Sequence, residues 1–318
     1  MTEPPESPPP SPVGPANPVD RRGFLAAAGL LFAAACARPA ADAAGADSPR
    51  ADSLAADSPA AATSGAAAST RHPVGLQLYT VREAMRRDLA GTLQAVAAIG
   101  YREVEFAGYF DHPAADVRAL LDRHGLRAPA AHVPWERTGD DWPAALAEAK
   151  AVGHEWVVVP WLPEDARRTL DDWRRTAERL DRAGAAARDA GLRLGYHNHD
   201  FEFASTGGQL PYDVLLAETD PALVSFELDL YWIVRAGQDP LAYLSRHANR
   251  FRLVHVKDSA GPPDHRMTEV GAGVIDFARI LPAAERAGVT HFFVEHDQPA
   301  DPMASVRASY AALARLLA

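Results

Sequence analysis

From residue 73 onward, two kinds of apolar pattern alternate along the chain. Short β-rich runs are separated by longer stretches in which apolar residues recur every third or fourth position. The longer stretches tend to end in glycine. Gly100 precedes Glu103-Val104-Glu105-Phe106, Gly125 precedes Ala130-Ala131-His132-Val133, and Gly153 precedes Trp156-Val157-Val158-Val159. Gly191 stands before Leu194-Gly195-Tyr196-His197, and Gly288 before Phe292-Phe293-Val294-Glu295. Glycine enters the left-handed conformation that closes a helix without steric penalty. Three more runs complete the set: Gly75–Tyr79, Val224–Leu230 and Phe251–Val256. Between runs, Leu89, Leu93 and Val96 share one helical face, as do Leu241 and Leu244 with neighbouring Tyr243. Eight strands alternating with helices predict an α/β fold, a (β/α)8 TIM barrel over residues 73–318. A doubly wound open sheet is the alternative. No Gly-x-Gly-x-x-Gly loop follows the first strand, which weakens a dinucleotide-binding form of it.

Composition changes sharply at the start of this pattern. The first 72 residues hold 11 of the 26 prolines, no Trp or Tyr, and only Phe24 and Phe32 as aromatics. Within residues 1–36, Arg21-Arg22-Gly23-Phe24-Leu25 opens a short apolar stretch that ends in small residues. That is the layout of an export signal, and the arginine pair resembles the twin-arginine signal. The lone cysteine, Cys36, stands where the apolar run ends and is a candidate lipid anchor. Cleavage after an Ala-x-Ala site is the alternative. Residues 37–72, with 15 alanines in 36 positions, read as a disordered linker. The expected location is therefore outside the cytoplasmic membrane, periplasmic or membrane-anchored. The barrel region carries 27 basic and 35 acidic residues, a net −8, which argues against a partner bound through its phosphates. One cysteine excludes an intramolecular disulfide.

Side chains at the C-terminal ends of barrel strands point into the mouth, where active sites form, and strand parity says which of them share a face. On the fifth strand His197 and His199 share one, on the sixth Glu227 and Asp229, on the seventh His255 and Lys257, and on the eighth Glu295 and Asp297. The second strand offers Glu103 and Glu105, and the third offers His132. Taken singly, these have ordinary explanations. Glu227 or Asp229 would pair with Arg235 or Arg252, Glu105 with Arg82 or Arg102, and Lys257-Asp258 would be a surface ion pair. Taken together, several acids and histidines converging on one mouth are reconciled by a divalent metal ion. His197, Asp229, His255 and Glu295 supply one ligand from each of strands five to eight, a donor set that suits Mn, Co, Zn or Fe better than Ca.

Several segments resemble the xylose-isomerase-like TIM-barrel superfamily, the sugar phosphate isomerase/epimerase group. They are Gly195-Tyr196-His197-Asn198-His199-Asp200-Phe201-Glu202-Phe203, Glu227-Leu228-Asp229, His255-Val256-Lys257-Asp258, Val294-Glu295-His296 and Gly271-Ala272-Gly273-Val274-Ile275-Asp276-Phe277. The resemblance covers residues 73–318. It implies one ion, often Mn, Mg, Co or Zn, held by a Glu, an Asp, a His and a Glu from strands five to eight. The last three fall on Asp229, His255 and Glu295, and His197 departs from the first. The implied reaction is isomerisation or epimerisation of a sugar through an enediolate. Glu295 is the expected base, and Lys257 neutralises the developing oxyanion. Only one of the family's two glutamate acid/base groups is present, so the partner is sought among Glu202, Glu227, His132 and Lys257. His132, His199, Glu105, Glu227 and Trp232 are candidate substrate contacts. Tyr79, Trp135 and Trp161 are further aromatics near strand ends.

Export favours an unphosphorylated sugar, keto-sugar, glycoside or inositol derivative over a sugar phosphate. A lyase or dehydratase on the same scaffold is the second reading, since proton removal beside a carbonyl serves both. A DNA-repair nuclease resembling endonuclease IV is disfavoured by the acidic charge, and a non-catalytic carbohydrate-binding protein is the remaining class.

Overall fold

A computed structural model describes residues 71–318. The apolar runs become the strands of one closed parallel barrel: β1 (Val74–Gln77), β2 (Glu103–Phe106), β3 (Arg127–His132), β4 (Trp156–Val159), β5 (Arg193–His197), β6 (Val224–Asp229), β7 (Phe251–Val256) and β10 (His291–Val294). Two short strands, β8 (Asp258–Ser259) and β9 (Met267–Thr268), pair antiparallel in the loop after β7. The helices are α1 (Arg82–Arg87), α2 (Leu89–Ile99), α3 (Ala114–His124), α4 (Trp142–Val152), α5 (Leu170–Asp189), α6 (Pro211–Glu218), α7 (Leu230–Arg235), α8 (Pro240–Arg246), α9 (Phe277–Arg286) and α10 (Pro302–Leu316). Strand order around the barrel is β1-β10-β7-β6-β5-β4-β3-β2, so every barrel strand has a neighbour on both sides.

Local chemistry explains where the helices start and stop. Thr169 and Asp172 form a reciprocal capping box at the start of α5. Asp88, Asp239, Asp276 and Asp301 accept the first free N–H groups of α2, α8, α9 and α10. Gly125 and Gly153 adopt the left-handed conformation just beyond α3 and α4.

The core has two parts. Between barrel and helices lies one continuous apolar layer that includes Leu76, Val104, Val157, Tyr196, Phe226, Leu228, Val254 and Phe292. Inside the barrel, Ala130, Trp156, Val158, Leu253 and Phe293 form a second cluster. A large ring fits there because Gly75 faces it: a Cβ at that position would lie 2.4 Å from Phe293 Cδ1 and 2.9 Å from the Phe292 carbonyl oxygen. This plug closes the interior below the mouth. Strand register then aligns the polar layer above it, pairing His197 with Glu227, Asp229 with His255 and Gln77 with Glu105.

The expected barrel is thus present, with local differences. The first strand ends at Gln77, and Leu78-Tyr79 turn into a short 3-10 helix held by Gln77 Oε1, which accepts the Tyr79 N–H. The β8–β9 pair was not foreseen. The export signal of residues 1–36, Cys36 with its lipidation, and all but the last two positions of the 37–72 linker lie outside the described residues. No helix among the described residues is long and apolar enough to cross a membrane.

Candidate active site

The polar layer at the C-terminal end of the barrel has two tiers. In the upper tier, Asp229 ends β6, Lys257 follows β7, and Glu295 follows β10, while His255 reaches up from β7. Lys257 Nζ lies 3.1 Å from Asp229 Oδ2, 2.7 Å from Glu295 Oε2 and 2.8 Å from Asp297 Oδ1. His255 Nδ1 lies 2.7 Å from Glu295 Oε2 and 3.8 Å from Asp229 Oδ2. His197 Nε2 is 3.7 Å from the same Asp229 oxygen. Asp229 is fixed from behind, because Oδ1 accepts the N–H groups of Tyr231 and Trp232 and its own N–H donates to Asn198.

The lower tier holds the remaining carboxylates. Glu227 Oε2 lies 2.9 Å from His132 Nε2, 3.2 Å from His197 Nδ1 and 3.2 Å from His255 Nε2. Glu105 Oε2 lies 2.7 Å from His255 Nε2 and accepts the Gln77 side-chain amide at 2.9 Å. Both acids have no exposed surface.

Burial and charge set the protonation of these groups. Burial works against the Lys257 ammonium, but Asp229, Glu295 and Asp297 outweigh it and hold Lys257 charged, well above the ordinary lysine value. Burial raises Glu295, and Lys257 and His255 reverse this, holding it well below the usual carboxylate range. Burial pushes Asp229 up to about 6 against the pull of Lys257 and His255. For His199, burial and then Lys257 bring the imidazole down to about 3, so it stays neutral at physiological pH. Burial lowers His132, but Glu105 and Glu227 outweigh it and leave the ring above its ordinary value.

A divalent cation suits this donor set. Asp229, His255 and Glu295 place ligand atoms within 4.8 Å of one another, as do His132, His197, Glu227 and His255 below them. Asp229 Oδ2 and His255 Nδ1 are buried without an aligned hydrogen bond among the described residues, although Lys257 Nζ and Glu295 Oε2 approach them at 3.1 Å and 2.7 Å. Mixed imidazole and carboxylate donors of this kind match Zn, Mn, Co or Fe. The residues present fit the ion.

Above the tiers opens a cavity of about 450 Å³. Tyr79 and Trp161, both substantially exposed, form its rim, and His132, His197, His199, Lys257, Glu295, Asp297 and Gln298 lie within it. The carboxylates that reach it, Glu295 and Asp297, sit on one side, after β10. His132, Trp161 and His199, from the ends of β3, β4 and β5, lie across the barrel.

Several expectations need correction. Glu105 and Glu227 do not line the cavity, since they occupy the tier beneath it. Their proposed arginine partners are not theirs: the ion pairs run to histidines, and Arg235 instead meets Asp200 at 3.2 Å. Glu202 is fully buried behind the mouth, where Oε1 accepts the Tyr196 hydroxyl and Oε2 the His199 N–H. It therefore clamps the loop after β5 and does not reach substrate. Lys257-Asp258 is no surface pair: Asp258 is buried and accepts the N–H groups of Ser259, Gly271, Gly273 and Ile275. Trp232 lines a neighbouring cleft with Tyr231, Arg235 and Met267, joined to the cavity through Asp297 and Gln298. Trp135 is packed beneath Arg179, whose guanidinium lies 4.1 Å from the ring centre. Asp297, expected to share the mouth-facing side with Glu295 but given no role, lines the cavity and pairs with Lys257.

Comparison with known proteins agrees with this fold. Residues 93–316 match the family model described as xylose isomerase-like TIM barrel. The chain belongs to that family. It is 32% identical over 136 residues to an inosose dehydratase of Lacticaseibacillus casei, a match covering 38% of this chain and 45% of that protein. The chain thus spans less than half the length of that curated relative. A crystal structure of a sugar phosphate isomerase/epimerase from Parabacteroides distasonis superposes with a TM-score of 0.69 at 27% identity, covering 81% of this chain and 99% of that one. The zinc-bound IOLI protein superposes at 0.62 over 77% of this chain and 98% of that one, and at 14% identity it shows the shared fold alone. The relatives are thus enzymes of two classes, lyases and isomerases.

Proposed function

We propose that this protein is a metal-dependent lyase that dehydrates a cyclic keto-polyol or keto-sugar. One observation carries the reading: the carboxylates that reach the cavity, Glu295 and Asp297, stand on the same side of it. Epimerisation by two bases needs acid/base groups on opposite faces of one carbon, whereas elimination needs one base and a proton donor near it. Glu295, held ionised, takes the proton from the carbon next to the substrate carbonyl. The freed electron pair forms the carbon–carbon double bond and expels the hydroxyl from the next carbon. Lys257 gives that hydroxyl a proton so that it leaves as water, and Glu295, 2.7 Å away, returns its own proton to Lys257. Across the cavity, neutral His199 and the raised His132 hold substrate hydroxyls, and Tyr79 and Trp161 cover the ring.

A divalent ion held by His197, Asp229, His255 and Glu295 would polarise the substrate carbonyl and acidify its neighbouring carbon. The similarity to inosose dehydratases supports this class of substrate. The Parabacteroides neighbour favours the second reading, isomerisation or epimerisation of a sugar. The two are separated by incubating the metal-loaded chain with an inosose and with keto-hexoses. A product lighter by one water supports the lyase, and an isomer of equal mass supports the isomerase.

The same proposal places the enzyme outside the cytoplasm, carried there by the signal at Arg21-Arg22. Replacing both arginines by lysine should leave the protein in the cytoplasmic fraction. Cys36→Ser should release it from membranes if Cys36 is lipidated.

A further inference from the structure

We infer that Glu227, assisted by Glu105, is a positioning group that fixes which ring nitrogen of His197 and of His255 is offered to the metal. The inference rests on the metal centre proposed above and concerns the tier beneath it.

A carboxylate accepts hydrogen bonds and donates none, so a ring nitrogen facing it carries the hydrogen. His197 turns Nδ1 toward Glu227 Oε2 at 3.2 Å, which leaves the lone pair on Nε2. That atom points at Asp229 Oδ2. His255 does the reverse. Its Nε2 faces Glu227 at 3.2 Å and Glu105 at 2.7 Å and keeps its hydrogen. Nδ1 also meets a carboxylate, Glu295 at 2.7 Å, but Glu295 and the nearby Asp229 are themselves ligands of the proposed centre, so a bound ion would replace the hydrogen on Nδ1 and not the one on Nε2. Two imidazoles from different strands thus use opposite nitrogens, and one buried carboxylate oxygen sets both. Its position follows from sequence: Glu227 precedes Asp229 by two residues on β6, so it faces the same way one step down the strand. Gln77 Nε2 holds Glu105 in register from β1. A carboxylate behind a metal-bound histidine is a known means of orienting the ring and strengthening it as a ligand. Here the arrangement explains why a histidine can stand at position 197.

The lower donors, His132, His197, Glu227 and His255, are also close enough to hold an ion of their own. Such an ion would take His255 Nε2 and His197 Nδ1, the atoms that the inference assigns hydrogens.

The test uses the full chain loaded with zinc and labelled with ¹⁵N-histidine. Two-bond ¹H–¹⁵N correlation spectra report which nitrogen of each ring is protonated, and chelator competition gives the zinc affinity. The expected wild-type result is one zinc, with hydrogen on His197 Nδ1 and on His255 Nε2. Glu227→Gln should weaken zinc binding by about ten- to a hundredfold and disturb both ring patterns. Of the two metal-facing rings, Glu105→Gln should disturb His255 and leave His197 unchanged, a second readout if the first variant folds poorly. A second zinc in the lower tier, the opposite nitrogen assignment, or unchanged spectra and affinity in both variants would overturn the inference while leaving the upper centre standing. No bound metal in the wild type would overturn both.

Discussion

At the scale of single residues, buried ionisable groups outside the mouth give the cleanest tests. His154 follows α4 and is nearly enclosed; Nδ1 faces the Ala128 carbonyl at 2.6 Å and Nε2 the Tyr109 hydroxyl at 2.9 Å. Burial brings its pKa down to about 4, against the bond to Ala128, from an ordinary value of 6.5. The folded state therefore keeps the ring neutral while the unfolded chain takes up a proton below pH 6.5. Stability from this group is fully present above 6.5 and falls between 6.5 and about 4, by about 3 kcal/mol. Chemical denaturation at a series of pH values should show this slope, and His154→Gln should flatten it. Glu202 tests its assigned role directly. Burial raises its pKa to about 8, so at pH 7 it is mostly the neutral acid and glutamine imitates it. Glu202→Gln should keep turnover and stay within about 1 kcal/mol of wild-type stability. Glu202→Leu should lose at least about 2 kcal/mol, because it strands the Tyr196 hydroxyl and the His199 N–H. A hundredfold drop in turnover for the glutamine variant would instead make Glu202 a proton-transfer group. By contrast, Glu295→Gln should lower turnover by about 10²- to 10⁴-fold with folding intact, as read by circular dichroism.

At the scale of elements, the loop after β7 hangs on one side chain. Asp258 gathers four N–H groups, from Ser259, Gly271, Gly273 and Ile275. Gly273 has no room for a side chain there, since a Cβ would lie 2.2 Å from the Ser259 carbonyl oxygen. Asp258→Asn turns an amide donor toward these donors. It should cost about 2–4 kcal/mol and open residues 259–276 to limited proteolysis, while β7 stays protected. This loop also marks where sequence reading stops. Parallel strands buried on both faces read as apolar runs, which is why β4 and β10 are legible in position. The two-residue strands β8 and β9 have no periodicity to detect and exist because Asp258 folds the loop back. Parity likewise brought out Asp229, His255 and Glu295 together, because alternate residues share a face. It does not report depth. Glu105 and Glu227 share the parity of the mouth residues yet lie a tier lower, and only strand register separates the two tiers. The role of Glu202 is not legible in the sequence for a different reason: it sits in a turn after β5, where side-chain direction depends on tertiary packing.

At the scale of the whole molecule, ligands drawn from β5, β6, β7 and the end of β10 mean that a bound ion ties together strands contiguous around the barrel. An ion that binds only the folded chain stabilises it by mass action, about 2.7 kcal/mol at a hundredfold excess over the dissociation constant. Added Mn, Co or Zn should raise the thermal midpoint of the wild type, a chelator should reverse the gain, and Asp229→Ala should show none. Lys257 gives this coupling a particular form. Its ammonium sits among Asp229, Glu295 and Asp297 and is part of the chain, so it cannot diffuse away. Mutual repulsion among those acids would otherwise oppose bringing the ends of β6 and β10 to one point. With a resident counter-charge, the barrel has no need of an ion to close. Acquiring shape and acquiring metal become two separate events, which can happen at different times.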